Sequence, residues 1–435
     1  MAILNTSLAP EYHLAQKSLG FRAWLVWGIA VLFYCYEFLL QVSPNVLAPE
    51  LAREFQTSAV SLGQLAAFYF YAYALMQIPV GLLIDRFNTR IIICTAVLIC
   101  AAGTYLFAIA DTLLLAKIGR LLTGIGSAFA VISCLKIATL WFPTRRFALL
   151  AGLMMTVGMA GAIFGEAPLA LLIKLFSWRN SLLLLAGIGV MLCILIFLCV
   201  RDRPKHTNFI PAAETTPLNV WQALSTILRC PQTWLLSIYG CFIYAAIAAL
   251  GALWGVSFLV AKYGIEHTEA ATIISLLFVG FAIGAPLLGW FSDYIGRRKP
   301  ILYIASIGTC LSLSIFIYAP FPKGIIALSL FVCGFSISGL MAAFTILKEI
   351  SPHQSNATAM AFMNMLNMLG AAAVQPFIGL LLDYFWQGEV TREGALAYSL
   401  EHYIVAFSIL PLISFLSLIL VPFVKETYCR HKIAE

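Results

Sequence analysis

Charge is scarce in this sequence. Asp, Glu, Lys and Arg make up 10% of its 435 residues, against 62% hydrophobic residues. Soluble domains carry roughly 25% charged residues, so a water-solvated globular chain does not fit this composition. Histidine is scarce as well. There are six, and none sits in the middle of a long apolar run. Catalytic patterns are missing too: no metal-ligand spacing, no nucleophile elbow and no phosphate-cradling loop. That argues against a membrane enzyme and leaves no cofactor, no metal and no nucleic-acid partner to expect. Cysteine is not scarce, but the eleven cysteines lie nearly all inside apolar runs, as small helix residues. No disulfide framework follows. Met1 to Gly20 has no apolar stretch and no small-residue cleavage site, so the first apolar helix is expected to act as both signal and anchor.

What the chain does have is long apolar runs with short polar breaks. A membrane-spanning helix needs about 20 mostly apolar residues. That template predicts twelve helices, near 22–45, 60–84, 91–110, 112–137, 147–172, 180–200, 232–260, 271–292, 300–318, 324–347, 356–382 and 400–423. Open strands would leave backbone groups unsatisfied in lipid, so helices are the only reading of such runs. With the N-terminus in the cytoplasm, Arg86, Arg90, Arg145, Arg146, Arg201, Arg203, Arg297, Arg298 and Lys299 all fall on the inner side. The net charge of +7 is thus concentrated there, and the positive-inside rule predicts both termini in the cytoplasm.

The longest polar interruption, Arg201 to Pro231, divides six helices from six. Within it Val220, Trp221, Leu224, Ile227 and Leu228 share one helical face, which predicts a short helix on the membrane surface. Residues 1–200 are expected to form one bundle, 201–231 a linker and 232–435 a second bundle. The halves resemble each other. Gly81, Asp85 and Arg86 follow helix two; Gly289, Asp293, Gly296, Arg297 and Arg298 follow helix eight, 208 residues later. Pro168 and Pro376 keep the same offset, and Leu135-Lys136 recurs as Leu347-Lys348. A duplicated six-helix unit is expected, with a solute path between the copies. A channel would instead call for pore-lining rings or a filter loop.

These residues resemble the major facilitator superfamily over nearly the whole chain. Its loop pattern G-x-x-x-D-[RK]-x-G-[RK]-[RK] is met by Gly81, Asp85, Arg86 and Arg90, and again by Gly289, Asp293, Gly296, Arg297 and Arg298. The first copy has Asn88 where Gly is usual; Asn tolerates positive φ, so the turn is expected to survive. Arg120, Gly124 and Gly126 fit the helix-four pattern R-x-x-x-G-x-G of the same family. The resemblance implies two six-helix bundles that rock about a central site, with the loop carboxylates latching the halves together. The stretches Tyr34–Pro44 and Phe70–Pro79 are similar to a bacterial subgroup of phagosomal transporter type, which imports amino acids or nucleosides. That likeness implies a monomer in the bacterial inner membrane.

Charges inside a bilayer are costly, and each is a candidate for function. At 1.5 Å per residue, Glu37 lies ~22 Å along helix one, Arg120 ~12 Å into helix four from its outer end and Glu166 ~28 Å along helix five. The three share a depth range that permits Arg120 to pair with either carboxylate. Arg120 can fork onto a substrate carboxylate, Glu37 can hold an amino group, and Glu37 or Glu166 can take up and release a proton. Tyr34, Glu37 and Gln41 share a face of helix one; Tyr69, Tyr73 and Gln77 share a face of helix two; Asn364 and Asn367, with Gln375, do so on helix eleven. Such stripes must face protein or water. Trp254 is placed to stack on substrate or to pack. Gly158, Gly161 and Gly165 form a small-residue face on helix five for close helix approach. Helix five lacks the Gly-Pro ending common in drug antiporters of the family, reading Gly165, Glu166, Ala167, Pro168 instead. The expected activity is proton-coupled uptake of a small polar or zwitterionic metabolite, an amino acid first, with organic-anion symport and multidrug efflux as alternatives.

Overall fold

The structure, a computed structural model, describes residues 20–142, 146–201, 220–352, 355–390 and 396–430. It contains twelve helices long and apolar enough to cross a membrane: Phe21–Val42, Ala59–Gly81, Thr89–Ala108, Leu113–Trp141, Leu149–Phe176, Trp178–Cys199, Pro231–Tyr263, His267–Ile295, Lys299–Tyr318, Lys323–Ile350, Asn356–Phe385 and Leu400–Phe423. We number them as the first to twelfth spans. We call the end where the first span begins the near end, and the opposite end the far end. The apolar runs form helices because lipid offers backbone groups no partner, and a helix satisfies them within one segment.

Several spans are not single continuous helices. The first ends at Val42, and a second helix, Pro44–Glu54, carries on with Pro44 in its first turn, where a missing N–H does no harm. The fifth span breaks between Phe164 and Ala167, just ahead of Pro168. The seventh contains a π-helical turn, Leu250–Trp254. Of the expected linker, the helix Val220–Leu228 is present, with Ile227 buried and Leu228 exposed. Val220 and Trp221 have side chains outside the description, as do residues 202–219.

The spans form two pseudo-symmetric six-helix bundles. In the first, the second span packs on the fourth, the third on the fourth and sixth, and the first on the fifth. In the second bundle the eighth packs on the tenth, the ninth on the tenth and twelfth, and the seventh on the eleventh. The repeat reaches single atoms. A Cβ on Gly124 would fall 2.2 Å from the carbonyl oxygen of Tyr69, and one on Gly334 would fall 1.8 Å from that of Leu277. Only glycine allows these spans to approach so closely. The expected small-residue face of the fifth span is used in the same way. Gly158 abuts the Tyr34 ring, and a Cβ on Gly161 would fall 2.0 Å from the Cys35 carbonyl oxygen. The bundles meet where the second span packs on the eleventh and the fifth on the eighth.

At the far end the second and eleventh spans are joined. Asp383 accepts hydrogen bonds from the backbone N–H groups of Ala59 (3.0 Å) and Val60 (2.9 Å), the first residues of the second span. The Tyr398 hydroxyl donates to the same carboxylate at 2.5 Å. A carboxylate on unpaired N–H groups at a helix start is favoured by both hydrogen bonding and the helix dipole. An exposed ion pair between Lys174 and Glu266 (3.0 Å) also crosses between bundles there.

Candidate functional site

Glu37 and Arg120 come together around one aromatic ring. The Tyr69 hydroxyl donates to Glu37 Oε1 at 2.5 Å, and the Arg120 guanidinium lies over the Tyr69 ring, 4.8 Å from its centroid. Glu37 is 2% exposed and Arg120 is 1% exposed. The pairing that the depths permitted does not form: no ion pair joins Arg120 to Glu37 or Glu166. Arg120 instead donates from Nη1 to the Leu40 carbonyl (2.7 Å) and from Nη2 to that of Gln41 (3.4 Å), near the end of the first span. The first span's final turn frees those carbonyls, since the last C=O groups of a helix lack partners within it. Arg120 Nε and Glu37 Oε2 are both buried and have no hydrogen-bond partner.

Gln41 and Gln77 reach across to the second bundle. Gln41 Nε2 donates to the Tyr244 hydroxyl at 2.9 Å, and Asn364 Nδ2 donates to Gln77 Oε1 at 3.1 Å. Tyr73 lies 6.1 Å from Tyr69, ring to ring, with the planes tilted by 33°. The Tyr34 hydroxyl turns away to the Met155 sulfur (3.2 Å) in its own bundle. Asn367 and Gln375 are buried, and Asn367 Oδ1 and Gln375 Oε1 lack partners. Trp254 is not placed as a free stacking surface. Its indole N–H donates to the Gln375 carbonyl at 3.1 Å, while Gln375 Nε2 donates to the Ala248 carbonyl at 3.1 Å. Trp254 thus ties the π-helical turn to the eleventh span.

Glu166 stands apart from the Tyr69 group. It occupies the break in the fifth span, fully buried, and its Oε1 accepts from Asn45 Nδ2 at 2.8 Å. Its Oε2 has no partner. Asn45 and Tyr244 are the two contacts that sequence reasoning missed. Asn45 had a signal: a polar residue directly after Pro44, inside an apolar run. Tyr244 had none, because an aromatic residue in a span reads as packing.

The loop motifs behave differently in their two copies. In the second, Arg298 donates to Asp293 (2.6 Å), Glu349 (2.9 Å) and the Ser292 hydroxyl (3.0 Å). Glu426 accepts from the backbone N–H groups of Arg298 and Lys299, both at 2.9 Å. Partial burial acts to raise the Glu426 carboxyl, but these N–H groups, together with those of Tyr428 and Thr427, outweigh it and hold it below the usual carboxylate range. Gly296, at φ +64°, closes the eighth span in the left-handed region, which is why glycine stands there. All these residues belong to the second bundle, so among the described residues Asp293, Arg297 and Arg298 make no latch between the halves. Glu349 also accepts from the Thr427 hydroxyl and so is part of this network. In the first copy, Gly81 has open space around it and Arg90 lies over the Phe197 ring at 4.9 Å. The side chains of Asp85 and Arg86 lie outside the described residues. Asn88 does not adopt the positive φ expected of it. Its φ is −59°, and its side chain accepts from the Ile91 N–H as the cap of the third span. Asn is well suited to that position, and the glycine of the usual pattern is not needed.

Residues 26–263 and 236–428 match the family model for the Major Facilitator Superfamily. The chain belongs to this superfamily. It is therefore a multi-pass secondary transporter of small molecules and not an enzyme. It is 25% identical over 417 residues to the membrane sensor protein UhpC of Salmonella typhimurium, covering 88% of this chain and 91% of that protein. It is 24% identical over 365 residues to the lysosomal dipeptide transporter MFSD1 of Danio rerio, covering 81% and 77%. It is also 24% identical over 391 residues to a D-galactonate transporter of Escherichia coli O6:H1, covering 82% and 90%. The fold matches the crystal structure of a bacterial homologue of the human lysosomal transporter Spinster. The TM-score is 0.78 at 18% identity, over 93% of this chain and 97% of that one.

Proposed function

We propose that this transporter imports a small zwitterionic metabolite, an amino acid first, driven by the proton gradient. The observation that carries the reading is the Tyr69 group. One cation and one carboxyl, from different spans, flank a single ring. Each keeps a buried polar atom without a partner, Arg120 Nε and Glu37 Oε2. A buried group left so costs about 1–3 kcal/mol, and a ligand with one negative and one positive group would recover it. The substrate carboxylate would meet Arg120 and its ammonium group Glu37. Gln41, Gln77, Tyr73, Asn364, Asn367 and Gln375 would complete the site from both bundles, and Tyr34 would support it through the first span. Glu37 and Glu166 are the proton carriers in this reading. The relatives include a transporter of dipeptides, which are also zwitterions.

The cycle is alternating access: the bundles, divided within 201–231, rock about this site. The loop motif around Asp85, Arg86 and Arg90 helps hold the near end, and its copy around Asp293 and Arg298 stiffens the second bundle. Lys and Arg at the near end support a cytoplasmic side for that end, and with it for both termini, in a bacterium. The protein works as a monomer in the inner membrane.

A second reading, uptake of an organic anion, is favoured by two observations. Arg120 carries its charge without an ion-pair partner, and one relative transports D-galactonate. Uptake into proteoliposomes decides between them. Under an inward proton gradient, labelled amino acids should accumulate, and Glu37→Gln should abolish accumulation while leaving the protein folded. Accumulation of sugar acids but not of amino acids would replace the first reading by the second. Full accumulation by Glu37→Gln would remove Glu37 from proton coupling.

A further inference from the structure

Asn45 sits between the bundles at a point where both are irregular. On one side is the break in the fifth span that holds Glu166. On the other is the π-helical turn of the seventh. Its side chain makes three bonds. Nδ2 donates to Glu166 Oε1 (2.8 Å) in the first bundle and to the Leu250 carbonyl (3.1 Å) in the second. Oδ1 accepts from the Val256 N–H (3.1 Å). Asn45 is fully buried. A buried amide has at most two donors and one two-lone-pair acceptor, so nearly all its capacity is spent here. The orientation is fixed, because turning the amide over would set Nδ2 against an N–H and Oδ1 against two oxygens.

The π-helical turn explains why the seventh span needs this partner. A wide turn takes its backbone groups out of the regular i to i−4 pattern. The Val256 N–H, two residues beyond the turn, finds its acceptor in Asn45. The helix that carries Asn45, Pro44–Glu54, packs on that same turn. A hydrogen-bonded bridge therefore runs from Glu166 through Asn45 into the seventh span.

We infer that Asn45 is a positioning residue of the transport cycle: its amide clasps the Glu166 carboxyl to the open turn of the seventh span, and the far end of the path opens when this clasp breaks. The inference builds on the reading of the space between the bundles as the transport path, and on Glu166 as a group that changes state within it. It assigns Asn45 no contact with substrate.

The clasp predicts a donor–acceptor swap. Asn45→Asp keeps an acceptor for Val256 but sets an oxygen against both Glu166 Oε1 and the Leu250 carbonyl, so the clasp opens. Adding Glu166→Gln supplies an amide that donates back to Asp, remaking the bond with its roles exchanged. Opening is read without any substrate by attaching spin labels to cysteines at Lys174 and Glu266, one in each bundle, in an otherwise cysteine-free protein. Pulsed electron resonance then gives the distance distribution. Asn45→Asp should move the ratio of long to short distances by about tenfold or more, since it unmakes the bonds to both Glu166 and the Leu250 carbonyl, and the double variant should return the share that belongs to Glu166. Melting temperature checks that each variant is folded. If Asn45→Asp leaves the distribution unchanged while melting normally, Asn45 is no clasp. If it opens the far end but Glu166→Gln does not restore closure, Glu166 is not its partner. Because this measurement uses no substrate, its outcome is separate from that of the uptake assays: loss of the amino-acid reading leaves the clasp standing, and the reverse holds too.

Discussion

Tyr69→Phe is a narrow perturbation of the proposed site. It removes one oxygen and leaves the ring beneath Arg120, 4.8 Å from the guanidinium. The lost hydroxyl donates to Glu37 Oε1 at 2.5 Å, and Glu37 Oε2 already lacks a partner. The variant therefore leaves a buried carboxyl with neither oxygen bonded. Hydrogen bonds to charged groups contribute about 1.5–3 kcal/mol. At ~1.4 kcal/mol per tenfold, that is a loss of roughly 10- to 140-fold in whatever step needs Glu37 held in place. The assay is initial uptake rate in proteoliposomes under a fixed proton gradient. Tyr36→Phe is the control. Its hydroxyl is also buried, but it donates to the Leu185 carbonyl at 3.0 Å, within the first bundle and away from Glu37. It should lower the melting temperature and change uptake by less than about threefold, since the ~1 kcal/mol at stake is stability. Equal losses of uptake in both variants would refute the reasoning, because tyrosine hydroxyls would then matter only through stability.

Arg120→Lys should weaken substrate binding by about tenfold or more, because one ammonium cannot span the Leu40 and Gln41 carbonyls and lie flat over Tyr69 as the planar fork does. Calorimetric titration checks this, and unchanged affinity would assign Arg120 to structure alone. Asp383→Asn should speed hydrogen exchange at Ala59 and Val60 by about tenfold, since it weakens the charged cap on those two N–H groups. Unchanged protection would mean the far-end joint rests on packing. Glu50, in the Pro44–Glu54 helix, has a buried Oε2 without a partner. Burial pushes its carboxyl up from 4.5, against smaller opposing effects of its own backbone N–H and of Arg53. Folding then takes up a proton, so its contribution falls as pH rises through the folded-state value. Glu50→Gln should raise the melting temperature at neutral pH and lose that advantage at acid pH; a gain that ignores pH would sink the assignment.

The spans and the two bundles were legible in the sequence because lipid makes a simple demand: about 20 apolar residues, with backbone groups bonded inside the segment. Glu37 and Arg120 were legible for the same reason, as exceptions to it. Their partners were not. Depth along a helix gives one coordinate, and Arg120 found backbone carbonyls, where a carboxylate had been thought available. The π-helical turn of the seventh span was invisible, because a change in hydrogen-bond register leaves composition untouched. With it went the reason for Asn45, whose partners Leu250 and Val256 lie over 200 residues away in the chain. The Arg298 network could not be read as internal to one bundle either. Its acceptors Glu349 and Glu426 are 51 and 128 residues distant, and a motif records neither. Asn88 was read through the glycine it replaces, when capping, its own commonest use, was the better guide.

The Arg298 network and the candidate site differ in how far their polar atoms are bonded. At the near end of the second bundle, Arg298 finds acceptors on Ser292, Asp293 and Glu349, and Thr427 donates to the second Glu349 oxygen at 2.5 Å. That network is closed. At the candidate site residues the opposite holds. Glu37, Arg120 and Glu166 in the first bundle, and Asn367 and Gln375 in the second, each keep one buried atom without a partner. Packing alone would select against such atoms, each costing about 1–3 kcal/mol, since apolar residues of similar size fill the same space at no such penalty. A polar group that must exchange partners as the bundles move, however, cannot be saturated in one state without being stranded in the next. In the proposed cycle of alternating access, incomplete bonding at Glu37, Arg120, Glu166, Asn367 and Gln375 suits residues that would face both a substrate and a moving neighbour. In the same cycle, complete bonding at Arg298 suits a bundle proposed to move as one piece.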